Sequence, residues 1–270
     1  MNNIGANSFN IGYLDTLACG DSVLHRLDPR AKLIATLMFI VAVVSFDKYA
    51  LSQLTPFFIY PIVLISLGGL PAGYLLKKVL LVSPFAILVG IFNPLLDKEI
   101  LIQFGSIGIA GGWISFMSIL LRFVLTVTAA LILVSLTGFN AVCGALLKFG
   151  MPRPFVMQLL FFYRYIFVLT DEAERMVRAG SFRSFNSRAV GFKTFIPLTG
   201  TLLLRTLERA ERIYHAMCCR GFDGHIRIIR AMKIRHQEII FTLGWTFLFI
   251  WLRCYNIPLT LGALITGVLK

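Results

Sequence analysis

From Tyr49 to Leu76 the chain runs 28 residues without one Asp, Glu, Lys or Arg. A helix or strand at a water-exposed surface cannot carry such a run, because one of its faces has to meet solvent. A bilayer accepts it. The hydrocarbon core is roughly 30 Å thick, and about 20 apolar residues rising roughly 1.5 Å each cross it as a helix. The same pattern recurs. Ala31–Phe46 carries one charge, Lys32, at its start, where it can snorkel, and Pro29 suits the first turn of that helix. Val79–Leu96 has no formal charge, with Pro84 and Pro94 as points where it kinks or ends. A loop marked by Gly105, Gly108, Gly111 and Gly112 precedes a span from Trp113 to Leu136, whose one charge is Arg122. Ile239–Leu252 forms the last span, and residues 257–269 either extend it past a kink or make a short return. The expectation is an all-α polytopic membrane protein with about five transmembrane helices, six if that tail adds one. A composition of 57% hydrophobic and 14% charged residues agrees, since soluble domains carry nearer a quarter charged.

The charge that remains is basic: 26 Lys+Arg against 13 Asp+Glu. Residues Lys148–Arg235 hold 16 of those basic residues and 6 acidic ones. The positive-inside rule puts this segment in the cytoplasm. Arg26, Arg30 and Lys32 place the N-terminus on the same side, and Lys77-Lys78 after the second span agree. The loop Asp97-Lys98-Glu99 is net acidic and falls outside. Residues 1–30 hold Asp15, Asp21, Asp28 and Pro29 and lack an apolar core, so no cleavable signal is expected.

Two amphipathic helices are expected within the basic segment. One seam runs through Phe162, Ile166, Leu169, Ala173, Met176 and Gly180; the other through Leu203, Leu207, Ala210, Tyr214 and Met217. Both have heptad-like spacing suited to helix–helix packing. Gly150-Met-Pro-Arg-Pro154 opens the first helix, and Gly191 and Pro197 separate the two. Asp171/Arg175, Glu174/Arg178 and Glu208/Arg212 have the spacing of i,i+4 ion pairs. The chain thus divides into an N-terminal transmembrane bundle (1–137), a cytoplasmic domain of two long helices (138–236) and a C-terminal transmembrane segment (237–270).

The two helices end alike. Ala173-Glu174-Arg175-Met176, Ala179 and Arg183-Ser184-Phe185 align with Ala210-Glu211-Arg212-Ile213, Ala216 and Arg220-Gly221-Phe222 at a constant offset of 37 residues. Taken alone, each is an ordinary helix C-terminus, where Arg suits the dipole and Gly the cap. Taken as a pair on basic helices, they point to a task performed twice. A small residue one turn before a guanidinium fits a groove, and the planar fork of Arg grips a carboxylate bidentately. Gly221 allows a left-handed end and close approach of a partner.

These landmarks resemble the transmembrane coupling proteins, or T components, of energy-coupling-factor transporters, of the cobalt transport protein CbiQ type. The matching residues are Leu27-Asp-Pro-Arg30-Ala-Lys32, Arg122, Leu147-Lys-Phe-Gly-Met-Pro152-Arg-Pro-Phe155, Tyr163-Arg-Tyr165, Leu169-x-Asp171-Glu172, Arg183-Ser184 and Ala216-Met-x-x-Arg220-Gly-Phe-Asp-Gly224. The family signature is Ala-Arg-Gly; here Phe182 and Cys219 replace the Ala, and Ser184 replaces the first Gly. The resemblance implies that Ala179, Arg183, Ser184, Ala216, Arg220 and Gly221 couple to two ATP-binding subunits at the cytoplasmic face of a bacterial inner membrane. It also implies a separate substrate-binding membrane subunit, of the cobalt-capture type if cobalt is the cargo. Nickel and vitamin T components look alike.

Other functions fit less well. Without a G-x-x-x-x-G-K-[ST] loop the chain is not expected to bind ATP, so ATP would be used by the partners and no cofactor is expected here. His25, His215, His225 and His236 have no ligand spacing, and no metal site is expected. Five cysteines at irregular spacing make no disulfide framework. Phe161, Phe162, Tyr163, Tyr165 and Phe167 cluster with aliphatics rather than with exposed Lys/Arg, which argues against nucleic acid. An intramembrane enzyme would need clustered ionisable groups inside the spans, and almost none occur. Arg122 either snorkels toward the outer end of its span or meets a neighbouring helix or partner subunit.

Overall fold

The computed structural model describes residues 13–47, 49–96, 100–104, 107–183, 192–224 and 235–255. They are helical almost throughout and fall into two compact units, one built within Asp15–Gly138 and Met232–Lys270, the other chiefly within Phe139–Ala231.

In the first unit, α1 (Pro29–Val44) starts where Pro29 predicts, because the Asp28 carboxylate caps it by accepting the Arg30 amide at 2.9 Å. The uncharged run that follows is not one helix. It comprises Leu51–Leu54, a 3₁₀ turn Thr55–Phe58, and α2 (Ile59–Gly68). Gly69, at φ +62°, then ends it in the left-handed cap that glycine adopts without strain. The second span therefore stops at Gly68 rather than Leu76. Lys77-Lys78 lie within α3 (Ala72–Gly90), which carries Pro84 inside it. After Phe92–Leu96 a two-stranded antiparallel hairpin, β1 (Ile100–Phe104) and β2 (Ile107–Ala110), occupies the expected glycine loop. The longest helix of this unit, α4 (Gly111–Thr137), follows.

Leu51–Gly68, Ala72–Pro94 and Gly111–Thr137 are long and apolar enough to cross a membrane. The first and last expected spans appear as two further helices, α1 and a C-terminal helix, here α8 (His236–Cys254), whose Glu238 accepts the Arg235 amide at 2.6 Å and so caps its first turn. At 16 residues α1 is about 24 Å long, short of a full hydrocarbon core.

Apolar surface gains little from leaving lipid, so close packing must hold these helices together. An aromatic knot does so where α1, α2 and α8 meet. Phe39 stacks on Tyr60 at 4.5 Å, Phe249 lies 5.4 Å from Phe39, and Trp245 meets Tyr60 edge-on at 4.8 Å. A Cβ at Gly90 would come within 2.8 Å of the Phe116 ring, so the absence of a side chain lets α3 and α4 approach. Residues 97–99, 184–191 and 257–269 lie outside the described residues, and with them the acidic loop and the tail.

The second unit holds a short helix, here α5 (Phe139–Lys148), and two long ones, α6 (Arg153–Arg183) and α7 (Phe192–Cys219). Pro152-Arg153-Pro154 opens α6 as expected, and Phe139 stacks on Tyr163 at 4.3 Å to tie α5 to it. Pro197 is not a separator: it lies inside α7, one and a half turns from its start.

Candidate functional site

The candidate site is the pair α6 and α7 with their C-terminal ends. Their directions are opposite. A Cβ at Gly180 would lie 4.0 Å from Leu198, while Glu172, two turns earlier on α6, reaches Arg205 and Arg209, two to three turns later on α7. The Glu172 carboxylate accepts from Arg205 Nη1 at 2.7 Å and from Arg209 Nη2 at 3.2 Å. The Arg205 hydrogen bond, backed by the charges of Arg205, Arg209 and Arg175, holds the Glu172 carboxyl below the usual carboxylate range.

Glu172 and Arg209 are also equivalent positions of the repeat, 37 residues apart. A contact between equivalent positions places the crossing at the same point along both helices. Arg183 stands eleven residues beyond Glu172, and Arg220 eleven beyond Arg209. The two arms are thus equal, about 16 Å each along the helix, and point opposite ways.

The end of α7 is well formed. Gly221 adopts φ +76°, its amide donates to Cys218 O at 3.0 Å, and the Phe222 amide reaches Met217 O at 3.1 Å. This double bond is the Schellman cap, and the left-handed residue matches the expectation for Gly221. Ala216, Arg220 and Gly221 are exposed, so the guanidinium stands off a rigid turn. On α6, Ala179 is exposed one turn before Arg183, the last helical residue; Ser184 lies outside the described residues.

The packing seam on α7 departs from expectation. Leu203, Leu207 and Tyr214 are exposed at 59, 55 and 60%. Ala210 is exposed too, and the half-buried stripe runs through Leu198, Leu202, Thr206, Arg209, Ile213 and Met217, of which Met217 belongs to the expected seam. Turning Arg209 toward Glu172 rotates the helix by one residue and leaves Leu203, Leu204 and Leu207 outward. Phe162 is likewise exposed on α6, whereas Ile166, Leu169, Ala173, Met176 and Gly180 are half-buried. Of the three expected i,i+4 pairs, Glu174–Arg178 closes, at 3.9 Å; Asp171/Arg175 and Glu208/Arg212 do not reach ion-pair distance. The interhelical cluster of Glu172, Arg205 and Arg209 escaped the sequence reading. Its one signal was opposite charge at equivalent positions of the repeat.

Arg122 belongs to the other unit. Its Nη2 donates to the main-chain oxygen of Asp47, just past the end of α1. Among the described residues, no three His, Cys, Asp or Glu side chains gather as metal ligands.

Residues 20–232 match a family model, CbiQ, described as cobalt transport protein. The chain is similar to the energy-coupling factor transporter transmembrane protein EcfT of Heliobacterium modesticaldum, 28% identical over 85% of this chain and 92% of that one. It is also similar to EcfT of Bacillus subtilis, 28% identical over 76% and 82%. An uncharacterized protein of Methanocaldococcus jannaschii is 29% identical over 82% of this chain and 78% of its own.

Proposed function

Because the chain belongs to the CbiQ family of cobalt transport proteins, we propose that it is the membrane subunit that couples ATP hydrolysis to uptake in an importer of the energy-coupling-factor type. The observation that carries this reading is the equal-armed crossing of α6 and α7. Two like motifs, each ending in Arg, sit at the two far ends of one cross-linked pair. Two similar ATP-binding subunits, one at each end, would meet the same chemistry.

In this reading Arg183 and Arg220, each with a small residue one turn before it, enter acidic grooves on the two ATP-binding subunits. Closure of those subunits on ATP displaces the arms, and the Glu172 cluster keeps the two displacements in register. The outward Leu203, Leu204, Leu207 and Tyr214 offer an apolar face to a substrate-binding membrane subunit. The basic face, and with it the N-terminus, lies in the cytoplasm of a bacterial cell. The chain is a non-catalytic subunit, and ATP is consumed by its partners.

The family description names cobalt, and cobalt uptake feeding cobalamin synthesis is the proposed cargo and purpose. Cells bearing this chain with its partner subunits should accumulate labelled cobalt in preference to nickel, and Arg220→Glu should abolish the accumulation. Equal nickel uptake, or uptake of a vitamin instead, would reassign the cargo. Normal uptake by Arg220→Glu would remove the docking role.

A further inference from the structure

We propose that the elbow between α5 and α6, Lys148–Phe155, is an interfacial anchor that seats on anionic phospholipid of the cytoplasmic leaflet. Every residue of the elbow is exposed. Three of them are large and apolar: Phe149 at 47%, Met151 at 38% and Phe155 at 51%. Phe162, 63% exposed, lies two turns beyond Phe155 on α6 and extends the same face. The elbow is already shaped. Gly150, at φ +89°, ends α5 in a left-handed turn in which its amide donates to Leu147 O and the Met151 amide to Leu146 O, both at 3.3 Å. Pro152 and Pro154 fix two further backbone angles. Little ordering entropy therefore remains to be lost on docking.

A run of exposed apolar side chains this dense marks a surface that something covers. The charge around it indicates what. From Ile100 to Thr170 the chain has no Asp or Glu, and the elbow carries Lys148 and Arg153. Rings and cations without acids match the boundary between acyl chains and anionic headgroups, where the rings enter the layer and the cations stay with the phosphates. The tether fits as well. Gly111–Thr137 is long and apolar enough to cross a membrane, and α5 adds only 10 residues, about 15 Å of helix, before the elbow begins. That length keeps the elbow within reach of the headgroup layer that α4 leaves.

The test is photo-crosslinking of the full chain, with its partner subunits present, in nanodiscs of phosphatidylcholine mixed with phosphatidylglycerol. The probe is Phe155→benzoylphenylalanine, and its adducts are identified by mass. Lipid adducts should form, with phosphatidylglycerol enriched about fivefold over its share of the bilayer, the scale of one basic residue at an anionic surface. Lys148→Gln with Arg153→Gln leaves the apolar side chains in place; lipid adducts should persist and the enrichment should disappear. Absence of lipid adducts would overturn the proposal. Adducts to a partner subunit in place of lipid would also overturn it and would assign the elbow to a protein interface. So would lipid adducts without enrichment, or an enrichment that survives the double change.

Discussion

The ammonium of Lys32 donates to the main-chain carbonyl of Leu136 at 2.8 Å, closing the last turn of α4 from the first turn of α1. Lys32 is 4% exposed. A buried cation survives here because the last carbonyls of a helix carry partial negative charge and need donors. Arg253 treats α1 the same way. Its Nη2 reaches Ser45 O at 2.9 Å and its guanidinium lies 4.2 Å over the Phe46 ring, while Arg122 reaches Asp47 O beside it. Two of the few charges in the apolar unit, Lys32 and Arg253, thus cap helix ends within it, and Arg122 binds just past one of those ends.

Lys32→Met keeps the volume of the side chain and removes its donor. The Leu136 carbonyl then stands unmade, and stability should fall by about 1–3 kcal/mol. Thermal unfolding in detergent followed by circular dichroism checks this. An unchanged midpoint would deny the cap any role.

Arg253→Met should cost about 1–2 kcal/mol through loss of the bond at the end of α1 and of the Phe46 contact. Because Arg122 serves the same end, Arg122→Met with Arg253→Met should cost measurably more or less than the sum of the single changes. A double-mutant cycle by thermal unfolding reads this.

Gly221→Val forces a β-branched residue to hold φ +76°, which only glycine adopts cheaply. The turn should open at a cost of about 1–2 kcal/mol. Partner ATP-binding subunits should co-purify less well with this variant although Arg220 is intact.

Glu172 ties the crossing, and its pKa is lower in the folded chain than in the unfolded one. The folded state therefore binds that proton less tightly. Its stabilising contribution is complete above the ordinary Glu value and is lost as pH falls through the depressed one. Glu172→Gln should abolish this dependence and lower the uptake achieved per ATP hydrolysed. Exchange of charge, Glu172→Arg with Arg205→Glu, should restore part of it.

How far the sequence announced this structure depended on the kind of signal. Pro29 and Pro152-Arg-Pro154 are local rules of helix starting, and both helices begin there. The break at Gly69 was signalled by Gly68-Gly69-Leu70-Pro71, but the lack of charge on either side masked it. On α7, Leu202 and Leu203 are equally apolar, so periodicity could not choose which faces α6; the choice is made by Glu172, 33 residues before Arg205 in the chain. Arg220 and Gly221 were legible as a pair because a capping glycine after a helical Arg is a local pattern. That the two arms are equal required the contact of Glu172 with Arg209.

The central claim is that the ends of α6 and α7 engage two ATP-binding subunits. The most direct measurement is co-purification of those subunits with the full chain carrying Arg183→Glu, Arg220→Glu or both, with membrane insertion followed in parallel. Each single change should weaken association, and the double change should leave the chain inserted but alone. Full recovery of both ATP-binding subunits with the double variant would contradict the account.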